Sequence, residues 1–184
     1  MSADEPTAAE IAAAFPALTA KLEPPDLERF AAALVPQRLM PGEVLLHEGT
    51  AYEALHLLLR GQLKVTLRSR GAATDLGRLD PGAVLGEVSV LDGGPASATV
   101  SAVDDAVVLS LSRGRLATMH DKHPDTAATL YRSLCAMLAE RLRGTTLRFE
   151  CLSRGTPTQH LPRPEHSRVL DLFRSLLGLG FGDP

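Results

Sequence analysis

The chain is poor in basic stretches, in cysteine and in uninterrupted apolar sequence, and each scarcity excludes a class of protein. No apolar run approaches the roughly 20 residues that a membrane-spanning helix needs. Lys and Arg number 19 against 22 Asp and Glu, for a formal net charge of -3 and an isoelectric point near 6.1. That balance is the wrong electrostatic footprint for a protein whose main partner is duplex DNA, so no nucleic-acid partner is expected. The two cysteines, Cys135 and Cys151, fall within one helical pattern. A rise of about 1.5 Å per residue sets them roughly 24 Å apart, beyond disulfide reach, so reduced packing residues are expected. The first fifteen residues are acidic and Ala-rich rather than basic and then apolar. Neither a secretory nor a mitochondrial address is expected, and the implied location is cytoplasmic.

What is present is an ordinary globular composition, 45% apolar and 22% charged over 184 residues, enough for one well-buried domain and an appendage. Prolines punctuate an N-terminal lead-in (residues 1–36) that reads as two helices, Thr7 to Phe15 and Asp26 to Val35. From Gln37 to Ser112 the texture changes to short runs separated by turn signals, with clean alternation through Leu63, Val65 and Leu67. About seven or eight strands with no helix alternating between them predict a mainly β architecture, an antiparallel sandwich or small barrel flanked by helices.

After Ser112 the helical period returns. "RGRLATMHDKH" predicts a short helix ended before Pro124, and Pro124 suits the first turn of a long one running to about Leu152. Leu130, Leu134, Met137, Leu138 and Leu142 form one stripe on it. An overlapping seam through Ala127, Tyr131, Leu134, Leu138, Arg141 and Thr145 follows alternating spacings of four and three. At about 28 residues, or roughly 42 Å, this helix exceeds what covering a small barrel requires, and the surplus predicts a homodimer. Residues 153–184 read as a Pro-rich linker delivering "HSRVLDLFRSLLG", a short amphipathic helix too marginal to stand alone in water and expected to dock on the same chain, its dimer mate or a separate protein partner.

The order of "MPGEVLLHEGT", "LLRGQLKV" and "LGEVSVLDGGPASATVSA", followed by the long helix, resembles the cyclic-nucleotide-binding domain of bacterial catabolite-activator regulators and of the regulatory subunit of protein kinase A. The resemblance covers roughly Leu22 to Leu152 and implies a cyclic-nucleotide-binding-like domain over 37–152, in which a jelly roll, or double-stranded β-helix, from about Gln37 to Ser112 is closed by a C-terminal dimerisation helix over 124–152. It also implies a phosphate-binding cassette. Gly86 would make its turn, Glu87 would accept from a ribose hydroxyl, Val88 and Ser89 would begin a run of backbone N–H donors aimed at a phosphate, Ser97 would match a hydroxyl position, and Ala98 and Thr99 would match the strand that follows. Thr145 and Thr146 match adjacent polar residues that contact the base.

One position departs from the pattern. Where the family places the arginine that pairs with the cyclic phosphate, this chain has Ala96, and no Arg or Lys occurs between Leu85 and Ala102. Losing one partner of a desolvated charge pair costs about 2 to 5 kcal/mol, at tenfold in affinity per roughly 1.4 kcal/mol.

Plainer roles compete at each position. Glu87 suits the first turn of a helix for dipole reasons, Ser97 and Thr99 suit a strand, and Thr145 and Thr146 suit a helix surface. Gly93-Gly94-Pro95 has no lysine of the nucleoside-triphosphate phosphate loop. His120 and His123 have metal-like spacing beside Asp121 but no supporting cluster, and no catalytic constellation can be assembled, so neither metal nor enzyme is expected. Catabolite-activator regulators continue into a helix-turn-helix domain, whereas 34 residues follow Glu150 here. Two functions stay open: a non-enzymatic signalling module that binds a cyclic nucleotide such as cyclic AMP weakly or atypically, and a ligand-independent docking or assembly adaptor with a vestigial pocket.

Overall fold

The structure, a computed structural model, describes residues 6–69 and 72–153. The chain enters through α1 (Ala8–Ala14), where the Thr7 hydroxyl accepts from the Glu10 amide and the Glu10 carboxylate accepts from the Thr7 amide, a reciprocal N-terminal cap. Pro16 does not end the helical region as its punctuation suggested. It opens a further turn, α2 (Pro16–Thr19), because proline at the first helical position forgoes only an amide that has no intrahelical partner. The same chemistry starts α3 (Pro24–Ala33) two residues before the expected Asp26. α3 stops at Ala33 because Leu34 is already extended and leads into β1 (Val35–Leu39), so the expected helical end at Val35 and strand start at Gln37 both move toward the N-terminus.

The remaining strands are β2 (Val44–Leu46), β3 (Ala54–Arg60), β4 (Leu63–Ser69), β5 (Ala72–Leu79), β6 (Val84–Leu85), β7 (Thr99–Ala102) and β8 (Ala106–Ser112). They form two four-stranded antiparallel sheets, ordered β1-β8-β3-β6 and β2-β7-β4-β5, the double-sheet jelly roll. Pro36 is tolerated in β1 because that strand is an edge, bonded only to β8. Three helices follow the strands they cap: α4 (Glu87–Asp92) between β6 and β7, then α5 (Arg113–Lys122) and α6 (Pro124–Ser153) after β8. The Ser112 hydroxyl caps α5 by accepting from the Arg115 amide at 3.2 Å.

Alternation on β3 and β8 divides the apolar residues between two compartments. Leu55, Leu57, Leu109 and Leu111 turn toward the helices, where Phe15 and Phe30 meet Leu130 and Leu134 of α6. Leu58, Val108 and Ala106 turn into the roll, against Leu63, Val65 and Val100 of the opposite sheet. Thr126 on α6 donates to the Asp26 carboxylate at 2.5 Å, across 100 residues of sequence. That bond, aided by Arg29, holds the Asp26 carboxyl below its usual range.

The stripe expected along α6 divides in the same manner. Leu130 and Leu134 are buried against the chain's own core, Leu138 is half-buried, and Leu142 is 68% exposed. Leu134 is therefore unavailable to a partner, which removes it from the expected seam. Cys135, expected as a packing residue, is exposed. The amphipathic segment expected from His166 to Gly178 lies outside the described residues, as does the linker before it from Arg154 onward.

Candidate functional site

The roll does not fill completely. Between its sheets and α4 lies a cavity of about 250 Å³. Gly86, Glu87, Val88 and Ser89 border it from the turn into α4, while Ala96, Ser97 and Ala98 border it from the segment before β7. Leu46, Val65, Leu79 and Val100 supply the apolar wall opposite.

The turn requires glycine at position 86. Gly86 has φ of +73°, and a Cβ there would lie 2.4 Å from the Ala54 carbonyl oxygen, so any side chain would both strain the backbone and strike β3. The close approach seats α4 directly on that strand. Within α4 the Val90 amide donates to the Gly86 carbonyl at 2.9 Å, so the amide donors expected from Val88 onward are already committed from Val90 on.

Ala96 and Ser97 point in opposite directions. Ala96 is buried in the roll interior and Ser97 is exposed. Their segment is fixed by the loop ahead of β3, where Ala96 donates to the Thr50 carbonyl at 2.9 Å and accepts from the Gly49 amide at 2.8 Å. Thr99 holds a neighbouring turn by accepting from the Glu48 amide at 3.1 Å.

Sequence reasoning missed the residue that closes the site. Arg141, counted only as part of a helical seam, reaches from α6 into the cavity, pairs with Glu87 and donates to the Val84 carbonyl at 2.9 Å. Both members of the pair are largely withdrawn from water, at 14% exposure for Arg141 and 12% for Glu87. No local signal identifies Arg141, because its 54-residue separation from Glu87 is bridged only when α6 folds back over α4. Of the other arginines that could have substituted for the absent cassette cation, Arg113 lies against Gly93 and pairs with Glu53 at 3.6 Å. Arg68 is exposed, and Arg70 lies outside the described residues. Thr145 and Thr146 continue α6 one turn past Arg141, but their side chains also lie outside what the structure describes.

Beneath the turn sits His56, 6% exposed. Its Nδ1 is hydrogen-bonded to the Ser110 hydroxyl at 2.8 Å, and its Nε2 is buried without a partner. Burial lowers its pKa to about 4, so the ring is neutral at physiological pH. Elsewhere, His120 meets Tyr131 edge-on with ring centres 6.4 Å apart. Among the described residues, no three His, Cys, Asp or Glu side chains converge.

The architecture is thus a jelly roll with a short helix inserted beside a cavity and a long C-terminal helix over it. Residues 36–123 match the cyclic nucleotide-binding domain family. It is 34% identical over 119 residues to the cyclic AMP receptor protein of Thermus thermophilus, an alignment covering 64% of this chain and 53% of that protein. The chain thus spans about half the length of that relative. The crystal structure of the Thermus thermophilus catabolite activator protein superposes with a TM-score of 0.66 at 28% identity, covering 74% of this chain and 63% of that one. The N-terminal domain of a transcriptional regulator from Streptomyces coelicolor superposes with a TM-score of 0.62 at 29% identity, covering 72% and 91%.

Proposed function

We propose that the protein is a non-enzymatic, cytoplasmic signalling module whose pocket accepts a cyclic nucleotide weakly. The observation that carries this reading is the convergence of both cassette segments, residues 86–89 and 96–98, on one cavity that α6 closes through Arg141. Glu87 offers a carboxylate to a sugar hydroxyl, and the walls offer apolar surface to a base. Ala96 supplies no charge for the phosphate, and the guanidinium of Arg141 is committed to Glu87 and the Val84 carbonyl.

Calorimetric titration with cyclic AMP and cyclic GMP tests this reading. The native protein should bind cyclic AMP no tighter than about 100 μM. Ala96→Arg should bind at least tenfold tighter, a gain of about 1.4 kcal/mol, because a guanidinium adds a full charge and a two-pronged grip. Low-micromolar binding by the native protein would overturn the weak-pocket reading. An Ala96→Arg protein that folds but gains nothing would favour the adaptor function.

The second half of α6 is the proposed dimer contact, through Leu138 and the exposed Leu142. Light scattering at micromolar concentration should report a dimer, and Leu138→Glu should shift it to monomer. A native monomer would remove this part of the proposal. The stripe Leu172, Phe173, Leu176 and Leu177 is proposed to dock on the same chain, its dimer mate or a separate protein partner. Deleting everything after Thr158 should alter solubility or thermal midpoint, and a deletion that changes neither would argue against docking.

A further inference from the structure

We propose that this pocket selects an uncharged, largely apolar molecule bearing a hydroxyl donor over an anion of the same size. The inference rests on reading the cavity as a ligand pocket and names the chemical class that the pocket prefers.

Among the described residues bordering the cavity, the charged side chains are Glu87 and Arg141, and they are paired with each other. The pair is neutral as a unit and mostly shielded from solvent. An anion entering beside it would lose its hydration and meet no net positive charge, the situation in which burial of a charge is most unfavourable. Ala96 places a buried methyl group at the edge of the same space. The wall opposite is Leu46, Val65, Leu79 and Val100, which favours an aromatic or aliphatic body.

What the charged pair can still recognise specifically is a donor. Arg141 engages Oε1 of Glu87, and an ionised carboxylate has about four acceptor positions on its two oxygens. A hydroxyl directed at Glu87 can therefore bond to it without displacing Arg141. At about 250 Å³ the cavity lies at or just below the lower end of small-molecule pockets, which suits a compact bicyclic ring system.

Two probes of nearly identical shape isolate the charge: 2-naphthol, uncharged near neutral pH, and 2-naphthoate, an anion. Titrated by fluorescence into the full chain, 2-naphthol should bind at least tenfold tighter. Ala96→Arg should shift the preference at least tenfold toward 2-naphthoate. Glu87→Gln should do the same by leaving the Arg141 charge uncompensated, and it provides an independent check should the buried arginine prevent folding, as a thermal melt would show. Equal binding of the two probes, a preference for 2-naphthoate, or failure to bind either would overturn the inference. So would an unchanged preference in both folded variants. Tight cyclic AMP binding together with a 2-naphthoate preference would overturn the selectivity while leaving a nucleotide pocket in place. Failure of both naphthalene probes and of cyclic nucleotides would remove the pocket reading as well.

Discussion

The two apolar compartments of this domain share β3 and β8 and differ in nearly everything else. On the helix side, Phe15, Phe30, Leu57 and Leu130 are almost wholly buried. Inside the roll, small residues such as Ala96, Ala98, Ala102 and Ala106 are buried with Tyr52 packed against them, and a cavity stays open. Large apolar side chains fill the core on one side, while the other keeps the volume that the proposed recognition needs. Arg141 links the two, since α6 packs its first half into the helical compartment and extends a side chain into the other.

The largest expected effect contrasts the compartments directly. Phe30→Ala should cost about 3 to 5 kcal/mol of unfolding free energy, the range for deleting a buried aromatic side chain. Leu79→Ala, in a side chain that borders the existing cavity, should cost nearer about 2 kcal/mol. Chemical denaturation of both variants checks this, and equal losses would break the distinction.

The next effect comes from His56, which by strand alternation faces the roll interior. Its pKa is about 4 in the folded protein against 6.5 when exposed. Between those values the unfolded chain takes up a proton that the folded chain cannot hold. Stability is therefore fully present above pH 6.5 and is lost as pH falls toward 4, by up to about 3 kcal/mol at roughly 1.4 kcal/mol per pH unit. Denaturation across this range should show the slope in the native protein and its loss in His56→Gln. An identical slope in both would assign it elsewhere.

The smallest effect lies at the rim of the helical compartment. Thr126→Val keeps the side-chain shape but removes the bond to Asp26, and should cost about 1.5 kcal/mol. Urea titration would register it as an earlier midpoint with an unchanged slope.

Much of the architecture was legible because it depends on local pattern. Alternation marked β4, proline and glycine marked the turns, and the Gly86-Glu87 pair with the small-residue run after it marked the turn into α4 and the strand β7. The absence of a cation at Ala96 was equally visible. The extra helix α2 was missed because Pro16 reads as a stop when its amide is assumed to be needed, although at a first helical position it is not. Arg141 and the orphaned Nε2 of His56 were not legible at all. Each acquires its character from residues brought in by tertiary packing, Glu87 and Val84 in one case and Ser110 and the burial of β3 in the other. Helical spacing also could not divide the stripe on α6, because Leu134 and Leu142 occupy equivalent positions in the pattern and differ only in what the rest of the chain places over them.

The contact between the lead-in helices and α6 also bears on how the chain is made. Phe15 and Phe30 share one buried cluster with Leu130 and Leu134, which come a hundred residues or more later in synthesis. At about 5 to 20 residues per second, a ribosome needs several seconds or more to supply the missing wall. During that interval the N-terminal segment presents aromatic surface to the cell with its final neighbours not yet made, and the order of translation sets the earliest moment at which the helical compartment can close.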